Sequence, residues 1–566
     1  MRSAFPVKKI LFGACIGAII TLFFFIYSTL SFRSYQNGIP LFNSPDETAN
    51  YFFSKHFALT GTLTFLEPLL AKSNGYVHPR SMTAVGENVV PVSFLGLPVI
   101  YGTLANIFGT QSIPFFTPAI ASITALFFFL LVRNISSLQA AWPAMILFLI
   151  HPAYMFNANR AMLPNVLFVD FLVIGCALAS QMMRLQKRAA VLCVGFLAGA
   201  AIGASMWVRF SESIWIVGLL LAFGIAYIRK VRIGMIAAFI AGMAIPLIFM
   251  FQYNTIVYGN PLLFGYQTVV IPTAVHQLEQ SSSIIQSVAH FNWDAAQLQL
   301  ITLLKSLKAA VLPFGINPIL YQKTFLDYAI FFFLPFSVLA ATAFFFFIWK
   351  FLRQIILHRS TSRLFLFLSY CTMSGWLVIF YGSWVFYDNL DREVTIGASY
   401  IRYWLPITVF ALVMCGEFLA FLLERSKGLI RQAFLAACII SLALFSFQQV
   451  FFSSSESVNA IASSLLSYHA KRDFIAAQTP QDAVIFSSRS DKIFFPVRRV
   501  AEQTADFREL ELVKRMYGSS PIYYYGLWNP QDAATLSKKY FEPFGLSLVH
   551  VGPADSREHL YNVVEK

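Results

Sequence analysis

Apolar runs of about 20 residues recur along most of this chain, separated by polar stretches of very unequal length. The first run extends from Ile10 to Leu30 behind Arg2, Lys8 and Lys9. It is long for a signal peptide, and no small-residue cleavage site follows it, so it predicts a retained first span with a cytoplasmic amino end. Further spans are predicted at about 113–132, 138–150, 163–183, 189–208, 213–228, 233–253, 326–349, 364–386, 403–423 and 430–452, about eleven in all. The stretch Pro91–Phe108 is also apolar, but short and interrupted by Pro91, Gly96, Pro98 and Gly102. It reads as a helix lying in the membrane interface. Charge decides this choice: with it, the Lys/Arg clusters after spans four, six, eight and ten fall on the cytoplasmic side, and without it they all face outward.

Two long polar segments, 33–112 and 254–325, are then external loops of a membrane domain covering 1–452. The tail, 453–566, differs in kind. Its apolar residues come in short runs, Ala483–Ser487, Pro521–Leu527 and Leu546–Val551, alternating with helical patterns at Asp506–Tyr517 and Gln531–Tyr540. That alternation predicts a small extracytoplasmic α/β domain.

Composition supports a membrane protein. Of 566 residues, 57% are hydrophobic and 12% charged, against about 25% charged in soluble proteins. The net charge of +14 sits largely in short loops between spans, so it reads as positive-inside bias and not as a nucleic-acid surface. All six cysteines, Cys15, Cys176, Cys193, Cys371, Cys415 and Cys438, fall in apolar spans with no CxxC pair. Neither a disulfide framework nor a structural zinc site is indicated.

The chemistry concentrates just beyond span one, at Asn43–Ser44–Pro45–Asp46–Glu47–Thr48–Ala49–Asn50–Tyr51. Ser44-x-x-Glu47 is a capping box with Pro45 at the first helical position, and a helix amino terminus favours an ionised Asp46. Read structurally, this is a cap. Read functionally, it is an acid pair at the exit of a membrane span, able to accept a proton. Arg160, Arg209 and Arg402 stand at external span ends, where they suit either interfacial anchoring or phosphate binding. Asp170 is the one clear mid-span acid, either part of a site or the partner of another buried polar group. His56 and His78 match no metal-ligand spacing with the acid pair, so no metal is expected, a divalent ion being a minor possibility.

These motifs in this order resemble the GT-C class of membrane glycosyltransferases, the superfamily of protein O-mannosyltransferases and lipid A aminoarabinose transferases. The resemblance lies in the Asp46–Glu47 pair, the Leu59–Thr60–Gly61–Thr62–Leu63 helix end, and the Pro-containing stretch from Val90 to Gly109. It extends to Arg160–Ala161–Met162–Leu163–Pro164–Asn165, Arg402–Tyr403–Trp404–Leu405–Pro406, and Pro480–Gln481–Asp482–Ala483–Val484–Ile485. Many relatives carry an acid where this chain has Asn165, which puts any acid-dependent contact of that loop in doubt. The resemblance implies a polytopic α-helical GT-C-like fold in the plasma (inner) membrane and a polyprenyl-phosphate-linked sugar as donor. The acceptor is a hydroxyl of a lipid, glycan or protein. Asp46 is then the base, assisted by Glu47, with Arg160, Arg209 and Arg402 around the donor phosphate and Asp170 and Asn165 as a possible intramembrane polar site. A transporter or flippase, or a non-catalytic membrane scaffold, is the alternative.

Overall fold

The computed structural model describes residues 4–36, 38–266, 312, 314–356, 362–386, 393–425, 428–453 and 455–566. Among these, eight helices are long and apolar enough to cross a membrane. The pair Leu138–Ile150 and Pro152–Asn159, bent by 51°, makes a ninth. The helices Ala4–Tyr27 and Ser213–Ala226 complete the expected set. Most spans lie within a few residues of their predicted limits, as in Pro164–Met182, Arg188–Val208 and Leu405–Arg425. Two depart from them. The third continues beyond His151, because Pro152 starts a new helix where its missing N–H is no loss. The eighth begins late: Pro318–Phe325 and a π-helical turn, Leu326–Phe331, lead into Leu334–Ile356. Most of the 254–325 loop lies outside the described residues.

Asp46, Arg160, Arg209 and Arg402 come to one end of the bundle: Arg160 binds Glu47, Asn165 reaches the Arg402 carbonyl, and Tyr403 lies against both Arg209 and Arg402. At the opposite end, Arg184 Nη2 donates to the Asn134 carbonyl at 2.5 Å, and Lys350 pairs with Glu417 at 2.9 Å. The Gly96–Phe108 helix has thirteen residues, about 20 Å at 1.5 Å per residue, well short of the bilayer core. It packs instead on Pro45–Thr60, where a Cβ built on Gly102 would lie 2.8 Å from the Ser54 carbonyl oxygen.

The first loop also contains an antiparallel sheet of Phe65–Leu66, Asn88–Pro91 and Met82–Val85, in that order, which the polar pattern did not announce. The tail opens with the Val458–Gln478 helix and forms a five-stranded sheet. Its order is Arg499–Glu502, Val484–Ser487, Ile522–Gly526, His559–Glu565, Leu546–Pro553. The first three strands are parallel, and the last two add antiparallel. Alternation gives this sheet two apolar faces. Val484, Phe486 and Tyr524 face the domain's own helices. Ile485, Tyr523 and Tyr525 join a core with Ala49, Phe53 and Phe57 of the acid-pair helix. The tail and the first loop are therefore one packed unit.

The tightest helix crossing is between Arg188–Val208 and Ile233–Tyr258. A methyl built on Gly199 runs into the Phe239 carbonyl, and one on Gly242 into the Phe196 carbonyl. Small residues let two membrane helices approach backbone to backbone. Gly199→Leu is expected to force them apart and to lower stability by about 1–3 kcal/mol, read as a reduced unfolding temperature of the detergent-solubilised protein. A surface change such as Gly218→Leu, where a Cβ meets nothing, is expected to leave that temperature unchanged.

Candidate active site

The acid pair begins the Pro45–Thr60 helix through the anticipated cap. Asp46 N donates to Ser44 Oγ at 3.2 Å, and Ser44 N donates to Glu47 Oε2 at 3.1 Å. Adjacent helical residues point about 100° apart, so the two carboxylates part company. Glu47 turns into the protein and is 3% exposed. Asp46 stays partly exposed, and its Oδ1 accepts from Ser81 Oγ at 2.5 Å.

Glu47 meets Arg160. The bent third span ends at Asn159 and delivers Arg160 as its capping residue. The guanidinium forks onto the carboxylate, Nε to Oε1 at 2.9 Å and Nη2 to Oε2 at 2.7 Å. Both side chains are buried. One turn further along the acid-pair helix, Asn50 Nδ2 donates to the Met162 carbonyl at 2.8 Å, while its Oδ1 accepts from Ser93 at 2.8 Å. Asn165 Nδ2 reaches the Arg402 carbonyl at 3.4 Å. The loop 160–165 thus joins the first loop to the short Ser399–Tyr403 helix.

Arg209 caps the Arg188–Val208 helix and is 6% exposed. Its Nη2 donates to Glu212 Oε1 and to the Tyr381 hydroxyl, both at 2.8 Å. Glu212 accepts as well from Trp215 Nε1 at 2.7 Å and from the Tyr381 hydroxyl. The Tyr403 ring lies under two guanidinium groups, Arg209 at 4.7 Å and Arg402 at 5.2 Å from its centroid. It stacks on Tyr381 at 4.4 Å. Arg402 Nη2 also donates to Ser399 Oγ at 2.8 Å.

Tyr266 links the acid to these cations. Its phenol is held above the ordinary tyrosine range by burial, then by the Asp46 carboxylate and Tyr403, while Arg209 and Arg402 pull the other way. The residue still presents 44% of its surface, so the charges acting on it are the informative part. Asp46, Arg209 and Arg402 all act electrostatically on one phenol. Of the residues singled out from sequence, Asp46, Glu47, Arg160, Asn165, Arg209 and Arg402 come together at this end.

Asp170 does not join them. It lies five residues beyond Asn165 on the same helix, about 7.5 Å along the axis. It is fully buried and accepts from the Tyr154 hydroxyl. Among the described residues, no three His, Cys, Asp or Glu side chains are grouped to hold a metal ion. The sequence reading missed Tyr266, Tyr381, Ser81 and Lys492. Only Glu212 carried a signal, its spacing of three from Arg209. Lys492 comes from the tail domain, and its amino group is lowered to about 8, by burial first and then by Arg80 and Arg160, against the pull of Asp491 and Glu47.

The sequence matches no protein-family model and no curated protein. The fold does match solved structures. ArnT from Cupriavidus metallidurans bound to undecaprenyl phosphate superposes with a TM-score of 0.56 at 13% identity, over 97% of this chain and 98% of that one. Its apo form gives 0.55 at 12% identity, over 98% of each chain. The oligosaccharyltransferase AglB from Archaeoglobus fulgidus, in complex with an inhibitory peptide and a dolichol-phosphate, gives 0.51 at 11% identity, over 85% of this chain and 64% of that one. The chain therefore has the fold of the GT-C membrane glycosyltransferases, from its first helix through its carboxy-terminal sheet.

Removing one member of a buried ion pair strands the other charge. Arg160→Met is expected to destabilise the protein by about 3–5 kcal/mol, measured by thermal or denaturant unfolding in detergent. Adding Glu47→Met to it is expected to recover part of that loss, giving a strongly non-additive double-mutant cycle.

Proposed function

We propose that this chain is an inverting glycosyltransferase that moves a sugar from a polyprenyl-phosphate donor to an acceptor hydroxyl on the extracytoplasmic side of the membrane. The observation that carries the reading is that one short loop, 160–165, binds the acid-pair helix through Arg160 and Glu47 and reaches the Arg402 carbonyl through Asn165. This brings the partly exposed Asp46 to the same end as two cations, Arg209 and Arg402, that share the Tyr403 ring. A displacement at an anomeric carbon needs those two kinds of group on either side of the reacting centre.

In this reaction the acceptor oxygen attacks the anomeric carbon as its proton passes to the Asp46 carboxylate. The carbon–oxygen bond to phosphate breaks with its electron pair leaving on the lipid phosphate. A phosphate is already a weak base, so the leaving side requires positive charge and no general acid. Arg402 and Arg209 supply it. Glu47 assists from behind: it holds Arg160, and with it the cap that presents Asp46. Arg160, whose fork Glu47 occupies, contributes charge near the phosphate more than direct bonds. The donor class is argued from the fold, since ArnT and AglB have been solved with polyprenyl phosphates bound. The extracytoplasmic assignment rests on the Lys/Arg clusters at the other end of the bundle.

The test is transfer in proteoliposomes supplied with a panel of undecaprenyl-phosphate sugars, scored by release of undecaprenyl phosphate. Asp46→Asn is expected to lower turnover by about 10²-fold or more, the usual scale for losing a general base. Arg402→Ala is expected to cost a comparable factor. Asp46→Asn at the wild-type rate would remove the base assignment. A wild-type chain that moves these lipids across the bilayer without cleaving them would establish the transporter reading instead.

A further inference from the structure

We infer that two adjacent residues of the tail domain, Asp491 and Lys492, together with Ser81, position the Asp46 carboxylate, making that domain a working part of the active site. The inference rests on Asp46 being the base.

The first arm runs through Arg80. Asp491 is 1% exposed. Its Oδ2 accepts from the Arg80 backbone N at 2.8 Å, and its Oδ1 from Arg80 Nε at 2.9 Å and Nη2 at 2.6 Å. Arg80 Nη2 also donates to the Arg489 carbonyl at 2.8 Å. One carboxylate from the far end of the chain thus fixes both backbone and side chain of Arg80. The next residue, Ser81, has φ +63°, a left-handed conformation uncommon for a residue with a Cβ. Such a conformation persists where its surroundings over-determine it, and here the Asp491 bonds to Arg80 do so. Its result is the aim of Ser81 Oγ at Asp46 Oδ1, 2.5 Å away.

The second arm holds the chain that leads into the cap of the Asp46 helix. Lys492 Nζ donates to the Asn43 carbonyl, one residue before the cap that fixes the Asp46 backbone. The ammonium group stands 5.1 Å from the centroid of the Tyr468 ring. It faces Arg80 and Arg160 as well as Asp491 and Glu47, so it is held in place against two like charges. Asp491 and Lys492 open the four-residue helical turn Asp491–Phe494. Ile493 and Phe494 of that turn enter the core shared with Phe53 and Phe57. The turn is anchored, and its first two side chains reach Arg80, next to Ser81, and Asn43, next to the Ser44 cap.

The chemical consequence is specific. A hydroxyl donating to Oδ1 fixes the orientation of the carboxylate. It leaves Oδ2 to receive the acceptor proton. A misplacement of about 1 Å in such a group costs on the order of 10²-fold in rate, so losing the hydroxyl acts on turnover more than on binding.

Ser81→Ala removes the hydroxyl and little else. With undecaprenyl-phosphate hexose as the donor probe, it is expected to lower kcat about tenfold, with the donor KM within about twofold and the unfolding temperature unchanged. Asp491→Asn is expected to lower kcat likewise, and the double variant Ser81→Ala/Asp491→Asn to be no slower than the slower single, because both act through one hydrogen bond. Lys492→Ala is expected to lower kcat independently. Should Asp491→Asn fail to fold, Ser81→Ala alone still decides. Wild-type kcat in Ser81→Ala, or a loss carried entirely by KM, overturns the inference while an inactive Asp46→Asn leaves the base assignment standing. An active Asp46→Asn overturns both.

Discussion

Glu47 and Arg160 sit 113 positions apart, and their buried pairing is what the functional end of this molecule hangs on. Taking both charges out of water is costly unless the geometry is good and the remaining lone pairs are used. Here the fork makes two short bonds and the Ser44 backbone N–H adds a third. The pair therefore sets three things together: the start of the acid-pair helix, the exit of the bent third span, and the direction in which the neighbouring carboxylate points. With Glu47 committed inward, Asp46 is the carboxylate left facing solvent and Ser81. The division of labour between two adjacent acids follows from helix geometry and not from any difference in their chemistry.

The same economy governs the cationic side. Arg209 spends its donors on Glu212 and Tyr381, and Glu212 in turn accepts from Tyr381 and Trp215. Every partner in that network is buried, and each restricts the others, so Arg209 is fixed as a charge. Tyr403 lies against both Arg209 and Arg402 and stacks on Tyr381. An aromatic face attracts cations at a distance where direct repulsion between two guanidinium groups would otherwise spread them. The positive charge is thereby concentrated in one place, and it acts on the Tyr266 phenol against Asp46.

The spans were legible because a bilayer demands about 20 apolar residues, and that demand leaves an unmistakable run in the sequence. The short, Gly- and Pro-broken stretch after Pro91 was legible for the same reason in reverse. The capping box was legible because it is local. What stayed hidden is long-range. Nothing near Glu47 announces Arg160, so the sequence reading gave them separate roles, assistant base and phosphate ligand, whereas they bind each other. Strand Arg499–Glu502 was missed because its ends are charged, and His559–Glu565 because Asn562 and the flanking polar residues mask its alternation. Asp170 looked ambiguous for a sound reason: a buried acid always has a partner, and only the fold identifies it as Tyr154. Lys492 and Asp491 left no trace at all, since a Ser-Asp-Lys turn reads as ordinary surface.

The last point bears on how the chain is put together. The tail sheet turns one apolar face to its own helices and the other to the helix that carries Asp46. A sheet buried on both faces cannot leave its partner without exposing Ile485, Tyr523 and Tyr525 to water, a loss that scales with the area uncovered. Charge follows the same route, through Arg80 to Asp491 and Arg499 to Glu67. The tail and the first loop, separated by the entire membrane domain in sequence, therefore gain their order from each other. The apolar contact supplies most of the adhesion, being non-directional and large in area. The ion pairs supply register, because a fork of hydrogen bonds tolerates little sliding. A carboxylate that must stand within an ångström of its substrate needs the second kind of contact as much as the first, which explains why charged residues are spent at this joint in a chain otherwise so poor in them.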